Sequence, residues 1–365
     1  MPISTAAVIG AGSMGAGIAA LMASSGMKVY LFDLDRDGAQ RGIDLQLQRG
    51  GFPSPELAEN VTPASTATDL DLVKECDWVV EAIFEDLQAK HDLYRQLELK
   101  DGAYLSSNTS TLPLSELVRG VKDPDRFAIT HFFNPPHIMQ LVELVAPHPE
   151  THATLEQAIT DQLGKTALTC RDTPGFIANR VGCFWLAAGV HLARKHGLSY
   201  ELADATFGRP FGIPRTGIFG LLDYIGLQLV DPIWGSLEDS LPADDGYSQY
   251  PLRGDAFIAG LVERGLIGST GPGGFYRGRE ETIDTDFTYR PRQTPTLPAD
   301  DPRELMASDT PSGNFARELF HTMLEYCRTH CSEIANSPAD IDTGLKLGFG
   351  WKKGIFELAE DLGEL

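Results

Sequence analysis

The stretch Gly10-Ala11-Gly12-Ser13-Met14-Gly15 constrains this chain more than any other. It follows an apolar run at residues 6–9 that reads as a buried strand, and it opens a helical pattern at 14–25. A second strand-like run, 28–32, ends at Asp33. In that setting each glycine has its own task. Gly10 permits a tight turn, Gly12 lets a pyrophosphate approach the backbone, and Gly15 allows close packing of helix on strand. Unpaired N–H groups and the dipole at the helix start favour a phosphate. Asp33, 18 residues past Gly15, suits a ribose 2′-hydroxyl and repels a 2′-phosphate. The pattern points to a dinucleotide held by Gly10, Gly12, Ser13, Met14, Gly15 and Asp33, with NAD preferred over NADP. Three alternatives stay open: FAD shares the fingerprint, the nearby Arg36 is of the kind that accepts a 2′-phosphate, and a glycine turn need hold no ligand.

Further strand-like runs stand at 78–83, 103–106, 127–133 and 141–145, with a helical stretch at 87–99. This alternation implies a mostly parallel sheet with helices on both faces. Beyond Pro174 the pattern becomes helical and apolar over 176–196, with further helical segments at 200–207, 219–229 and 255–264 and no strong strand. Residues 277–313 are rich in proline, threonine and charge and read as an irregular connector, before a last long helical stretch at 314–334. The motif Gly217-Ile-Phe-Gly-Leu-Leu-Asp-Tyr-Ile-Gly226 is echoed by Gly354-Ile-Phe-Glu-Leu-Ala-Glu-Asp-Leu-Gly363. The expected fold is therefore an α/β, Rossmann-type N-terminal domain over 1–174, followed by an all-α domain that is duplicated. The first helical copy is expected over 175–280, a connector over 281–313, and a partial second copy over 314–365.

The net charge of −21 argues against duplex nucleic acid as a partner. An anionic ligand such as NAD then needs local help from helix N-termini and a few arginines. Five scattered cysteines, an odd number, suit reduced thiols and a cytoplasmic location. Cys327 and Cys331 lie one helical turn apart near His321 and His330, but they read better as small apolar residues than as metal ligands. No apolar run reaches the ~20 residues of a membrane span. Residues 1–5 carry no basic side chain and the glycine loop begins at residue 10, so no leader segment is expected.

Candidate chemistry lies downstream. Ser107-Asn108-Thr109-Ser110 and His131-Phe-Phe-Asn134-Pro135 each end a strand-like run, at the edge where ligands bind in open α/β sheets. Glu143, 12 residues past His131, sits inside the apolar run 141–145. A carboxylate there is costly unless paired, and a histidine is a good partner whose basicity it raises. Pro174-Gly-Phe-Ile-Ala-Asn179-Arg180 opens the helical part. Taken singly, Ser110 reads as a helix N-cap, His131 as a core histidine and Asn179 as a helix-face residue.

With the Gly10–Gly15 loop, Glu81-Ala-Ile-Phe-Glu85, Leu141–Val145, Asp172–Arg180 and the Gly217–Gly226 motif, these pieces stand in one order over about the first 280 residues. In that order and spacing the chain resembles the NAD-dependent 3-hydroxyacyl-CoA dehydrogenase family of fatty-acid β-oxidation. The resemblance implies His131 as general base for the substrate 3-hydroxyl and Glu143 as the residue that orients it. It places Ser110 near the reacting hydroxyl and nicotinamide, and Asn179 at the substrate carbonyl region. Glu85, Lys90 and Asn134 match cofactor-contacting positions. It also implies an acyl-CoA thioester substrate in a cleft between two domains, no metal, and an enoyl-CoA hydratase module or a thiolase as partner. Short family members pair through their helical domains, so an internal second copy leaves monomer and homodimer both open.

The chain departs from the family in three places. Gly268-Ser-Thr-Gly-Pro-Gly-Gly-Phe275-Tyr276 lacks the basic residue expected before Gly-Phe-Tyr. The helix after Asp33 offers only Arg41 and Arg49 as basic residues for CoA. The duplicated helical part resembles longer members, yet no hydratase segment is present. Rival readings are a dehydrogenase of a free hydroxy acid on the same architecture and a non-catalytic, crystallin-like relative.

Overall fold

The structure is a computed structural model that describes residues 2–364. The chain divides into two compact units, 1–176 and 177–365. The first unit is built on eight strands: β1 (Thr5–Ile9), β2 (Lys28–Asp33), β3 (Val61–Ser65), β4 (Trp78–Glu81), β5 (Tyr104–Ser107), β6 (Phe127–Phe132), β7 (Leu141–Val145) and β8 (Thr166–Thr169). They form one sheet in the order β3-β2-β1-β4-β5-β6-β7-β8. All neighbours pair parallel except β6 and β7, which run antiparallel. The strand order reverses at β1, between β2 and β4, and it is at such a reversal that nucleotides bind, beyond the carboxyl ends of the strands. Helices α1 (Ser13–Ser24), α2 (Arg36–Arg49), α3 (Leu87–Gln96), α4 (Leu114–Leu117) and α5 (Pro149–Gln157) fill the crossovers.

The strands the sequence pattern missed are the two edges, β3 and β8. Each carries polar residues in a run of four or five: Val-Thr-Pro-Ala-Ser and Thr-Ala-Leu-Thr. An edge strand is buried on fewer sides, so it lacks the continuous apolar signal of β1 or β4, and a proline is tolerated there.

The second unit is helical: α6 (Ala178–Lys195), α7 (Tyr200–Thr206), α8 (Phe219–Ile225), α9 (Val230–Ser240), α10 (Ala256–Glu263), α11 (Pro302–Ala307), α12 (Pro311–Ile334), α13 (Pro338–Phe349) and α14 (Ile355–Leu362). The stretch expected to be an irregular connector opens with a small antiparallel sheet of β9 (Tyr276–Arg277), β10 (Glu281–Ile283) and β11 (Tyr289–Pro291). Strands of two or three residues are too short to show a period of two.

The repeat seen in sequence has a physical centre. Asp204 of α7 accepts hydrogen bonds from the N–H groups of Ile218, Phe219 and Gly220 at 2.7, 2.8 and 3.2 Å, at the start of α8. Asp342 of α13 does the same for Phe356 and Glu357 at 2.9 and 3.1 Å, at the start of α14. Each carboxylate satisfies helix-start donors that would otherwise be orphaned. A Cβ on Gly217 or Gly354 would lie 2.5 or 2.1 Å from that carboxylate's side chain, so both motifs open with glycine. The register extends backwards: Ser199 and Ser337 each stand five residues before the aspartate, and Phe211-Gly212 and Phe349-Gly350 each begin seven after it. The copies interlock, with α6 packing on α12 and α13, and α12 packing on α7. No helix among the described residues is long and apolar enough to cross a membrane.

Candidate active site

The glycine loop meets the steric test for a dinucleotide. Gly10 has φ +108, and a Cβ there would lie 2.5 Å from the Ala82 carbonyl oxygen. A Cβ on Gly15 would meet the Gly10 oxygen at 1.8 Å, which is the close helix–strand approach expected of it. A Cβ on Gly12 meets nothing within 4 Å. The space in front of Gly12 is therefore free, beside the start of α1, where Ser13 and Met14 lie and the first turn carries no acidic residue. That is a suitable place for a pyrophosphate. Asp33 ends β2 and accepts from the N–H of Leu34 at 2.7 Å. Arg36 is held by Asp69 through Nε at 2.6 Å, so the cation nearest the ribose position is already engaged.

At the end of β4, Glu81 is 0% exposed and gathers four donors. These are the Lys90 ammonium and Tyr94 hydroxyl at 2.6 Å, the Ser107 hydroxyl at 2.8 Å and the Ile83 N–H at 3.0 Å. Lys90 is itself 1% exposed and also reaches Glu85 at 3.2 Å. Glu85 in turn accepts from the Ser110 N–H at 3.2 Å, from the Thr111 hydroxyl at 3.1 Å and from the Thr109 hydroxyl. Burial works against its charge, but Lys90 and the two threonine hydroxyls outweigh that and hold its carboxyl below the usual range. The 107–111 loop is thus tied to the end of β4 by charge-assisted bonds. Ser110 does not cap a helix: α4 starts at Leu114, and its first N–H groups are capped by Asp172 at 2.6 and 2.9 Å. The Ser110 hydroxyl has no hydrogen-bond partner among the described residues, so it is free for a ligand.

His131 and Glu143 face each other across the antiparallel β6–β7 pair. His131 Nδ1 lies 2.8 Å from Glu143 Oε2, with the carboxylate 0% and the imidazole side chain 8% exposed. The imidazole lies against the rings of Phe133 and Phe176, at centroid distances of 4.5 and 6.0 Å. Nε2 has no hydrogen-bond partner among the described residues. With Nδ1 donating to the carboxylate, Nε2 is left with a lone pair able to accept a hydrogen bond or a proton. The Asn108 side chain accepts from the Phe132 N–H at 2.8 Å and so ties the Ser110 loop to the strand that carries His131.

Of the other expected residues, Asn134 is exposed just past β6, and Asn179 is partly exposed in the first turn of α6, in the second unit. Sequence reasoning did not single out Glu81, Asn108 or Phe176, although all three lie inside motifs it quoted. The signal available for Glu81 was a carboxylate ending an apolar strand, the same signal that drew attention to Glu143. No group of three or more histidine, cysteine or acidic residues able to hold a metal occurs among the described residues.

Comparison with known proteins agrees with this arrangement. Residues 5–173 match the family model described as 3-hydroxyacyl-CoA dehydrogenase, NAD binding domain, and residues 175–278 match its C-terminal domain. A Rickettsia prowazekii protein named as a fatty acid oxidation complex trifunctional enzyme is 40% identical, over 96% of this chain and 52% of its own length. A Deinococcus radiodurans protein named as a 3-hydroxyacyl-CoA dehydrogenase is 31% identical, over 81% of this chain and 90% of its own. In fold, 3-hydroxybutyryl-CoA dehydrogenase from Escherichia coli K12 is similar with a TM-score of 0.79, over 99% of this chain and 92% of that one, at 23% identity. The chain spans about half the length of the first curated relatives it matches. With matches that run through both units, the chain belongs to the 3-hydroxyacyl-CoA dehydrogenase family, and its first unit is that family's NAD-binding domain.

Proposed function

We propose that the chain oxidises an L-3-hydroxyacyl-CoA to the 3-oxoacyl-CoA, with NAD as co-substrate. The observation that carries this reading is the buried Glu143–His131 pair at 2.8 Å, in the same unit as a glycine loop fit for a dinucleotide. Nε2 of His131 takes the proton of the 3-hydroxyl, and Glu143 holds the ring and balances its positive charge. Bound NAD would supply the acceptor for the hydride that leaves C3, so the C–O bond becomes a carbonyl. The Ser110 hydroxyl hydrogen-bonds the reacting oxygen. Asn179 contacts the thioester carbonyl region. Gly10, Gly12, Ser13, Met14 and Gly15 receive the pyrophosphate, Asp33 the ribose, and the exposed apolar Leu34 and Phe84 flank the adenine. Lys90 serves the cofactor through Glu85, which it holds in place, and Asn134 contacts the nicotinamide end.

A hydratase module or a thiolase acts on the product side or the supply side, consistent with the trifunctional name of the Rickettsia relative. The chain works in the cytoplasm as a monomer, because the second helical copy already covers the first. A light-scattering mass near twice the chain's 39.7 kDa would count against that. The deciding experiment compares NAD reduction with a 3-hydroxyacyl-CoA and with the free 3-hydroxy acid. Turnover of the thioester alone is expected, and equal turnover of the free acid would overturn the substrate assignment.

A further inference from the structure

The second unit holds a concavity of about 590 Å³, within the ~300–1,000 Å³ range of small-ligand sites. One wall is the hairpin at 268–274, the stretch that lacks the family's basic residue. Its glycines let it lie flush on Asp223. A Cβ on Gly268 would meet the Asp223 carbonyl oxygen at 2.3 Å, and one on Gly274 would meet its carboxylate at 2.0 Å. Ser269 N–H donates to the Asp223 carbonyl oxygen at 2.8 Å, while the Asp223 carboxylate accepts from Phe275 and Tyr276 N–H at 2.9 and 2.8 Å. The one carboxylate on this wall is therefore committed to the backbone.

The opposing charges are positive. Arg215, Arg279 and Arg292 come from three separate segments and line the same space. None of them has a carboxylate within ion-pair distance among the described residues. Their neighbours do: Arg209 pairs with Asp300, Arg277 with Glu281, and Arg290 with Glu201 and Asp284. Arg292 is also held in position, its guanidinium 4.2 Å over the ring of Tyr276, whose hydroxyl is fixed by Asp204 at 2.6 Å. In a chain of net charge −21, three unneutralised arginines around one cavity are not explained by the balance of the surface.

The duplicated copy supplies an internal control. Lys352 and Lys353 stand before Gly354 as Arg215 and Thr216 stand before Gly217, and they line a concavity of about 500 Å³. There most cations are engaged: Lys353 pairs with Asp361, Arg209 with Asp300, and Arg303 donates to the Asp361 carbonyl oxygen at 2.6 Å, while Lys352 alone has no carboxylate within ion-pair distance among the described residues. Both spaces include the two residues before the motif's opening glycine, but only the first keeps all its arginines without a carboxylate partner.

We infer that the concavity bounded by Arg215, Arg279, Arg292 and the glycine hairpin is a binding site for an oxyanion, a phosphate or a carboxylate group of a ligand. The planar guanidinium fork matches either group, and a backbone wall of glycines lets it approach closely. The residues that line the site all belong to the second unit.

Calorimetric titration of the full chain at saturating NAD, with inorganic pyrophosphate in one arm and glutarate in the other, tests this. Saturable binding of at least one probe is expected, and the probe that binds tells which oxyanion the site takes. Arg215→Ala with Arg292→Ala should weaken that binding by about tenfold or more, as for loss of charged hydrogen bonds. Lys352→Ala with Lys353→Ala should leave it unchanged. Both arginines lie at the cavity surface, so an unaltered melting temperature is expected and certifies the fold. Binding of neither probe, or equal affinity in the arginine variant, would overturn the inference.

Discussion

Two carboxylates are fully buried in the same sheet, and they differ in what they are paired with. Glu81, at the end of β4, is held by a lysine, a tyrosine, a serine and a backbone N–H, all within 3.0 Å. Glu143, in β7, is held at 2.8 Å by a histidine whose second nitrogen faces no partner among the described residues. The donors on Glu81 come from the end of β4, from α3 and from β5, so the first network ties those segments together. Histidine is a side chain suited to taking up and releasing a proton, and it is on this difference in partner that the proposed catalytic role of the second pair rests.

The strongest test of that distinction is His131→Ala. The rate with NAD and a 3-hydroxyacyl-CoA should fall by about 10²–10⁴, the usual contribution of a general base, with the NAD dissociation constant unchanged. Undiminished turnover would break the comparison outright. Glu81→Gln should act on the fold instead. It leaves the buried Lys90 short of its main counter-charge, and breaking one side of a buried pair costs about 3–5 kcal/mol. Denaturant unfolding should show that loss, and Lys90→Met placed in the same chain should recover part of it, since the stranded charge is then gone. Glu143→Gln should sit between: a fall of about 10–100-fold in kcat, typical of removing a supporting partner, with little change in KM. If Glu143→Gln lost only stability and Glu81→Gln only rate, the two roles would have to be exchanged.

Much of the site was legible because its parts are local. The glycine loop, Asp33 and the 12-residue spacing from His131 to Glu143 belong to single turns or to one hairpin-like strand pair. The Glu81 network was not, since its donors come from residues 83, 90, 94 and 107, on three segments: the turn after β4, α3 and the end of β5. A motif shows that a carboxylate is present; it does not show which distant side chains fold over it. The same holds for the repeat. Its two ten-residue motifs were visible, but the aspartates that anchor them lie twelve or thirteen positions upstream, inside helices where an aspartate looks like surface. Ser199 and Ser337, each five residues earlier, were the available clue.

Asp204 extends the comparison to a carboxylate with neither histidine nor lysine beside it. It is 5% exposed, and its partners are the Tyr276 hydroxyl and three backbone N–H groups. Burial pushes its carboxyl up to about 7, and those hydrogen bonds only partly oppose the rise. Asp223, on the neighbouring turn, is pushed up to about 6 for the same reason. An acid whose value is higher in the folded chain than in the unfolded one binds its proton more tightly when folded. Its contribution is fully present below the unfolded value near 4 and is lost as pH rises through the folded value near 7. Unfolding free energy should therefore fall between about pH 4 and about pH 7, by about 4 kcal/mol for Asp204. Asp204→Asn costs a cap at either pH, but it removes the titration. The gap between variant and wild type should shrink by that amount at the higher pH, and an unchanged slope in the variant would place the titration elsewhere. Asp342 does the same capping work in the second copy and is also pushed up by burial, with the Phe356 and Glu357 N–H bonds opposing the rise. Asp342 is less deeply enclosed, so Asp342→Asn should flatten the profile less than Asp204→Asn, the smallest effect in the series.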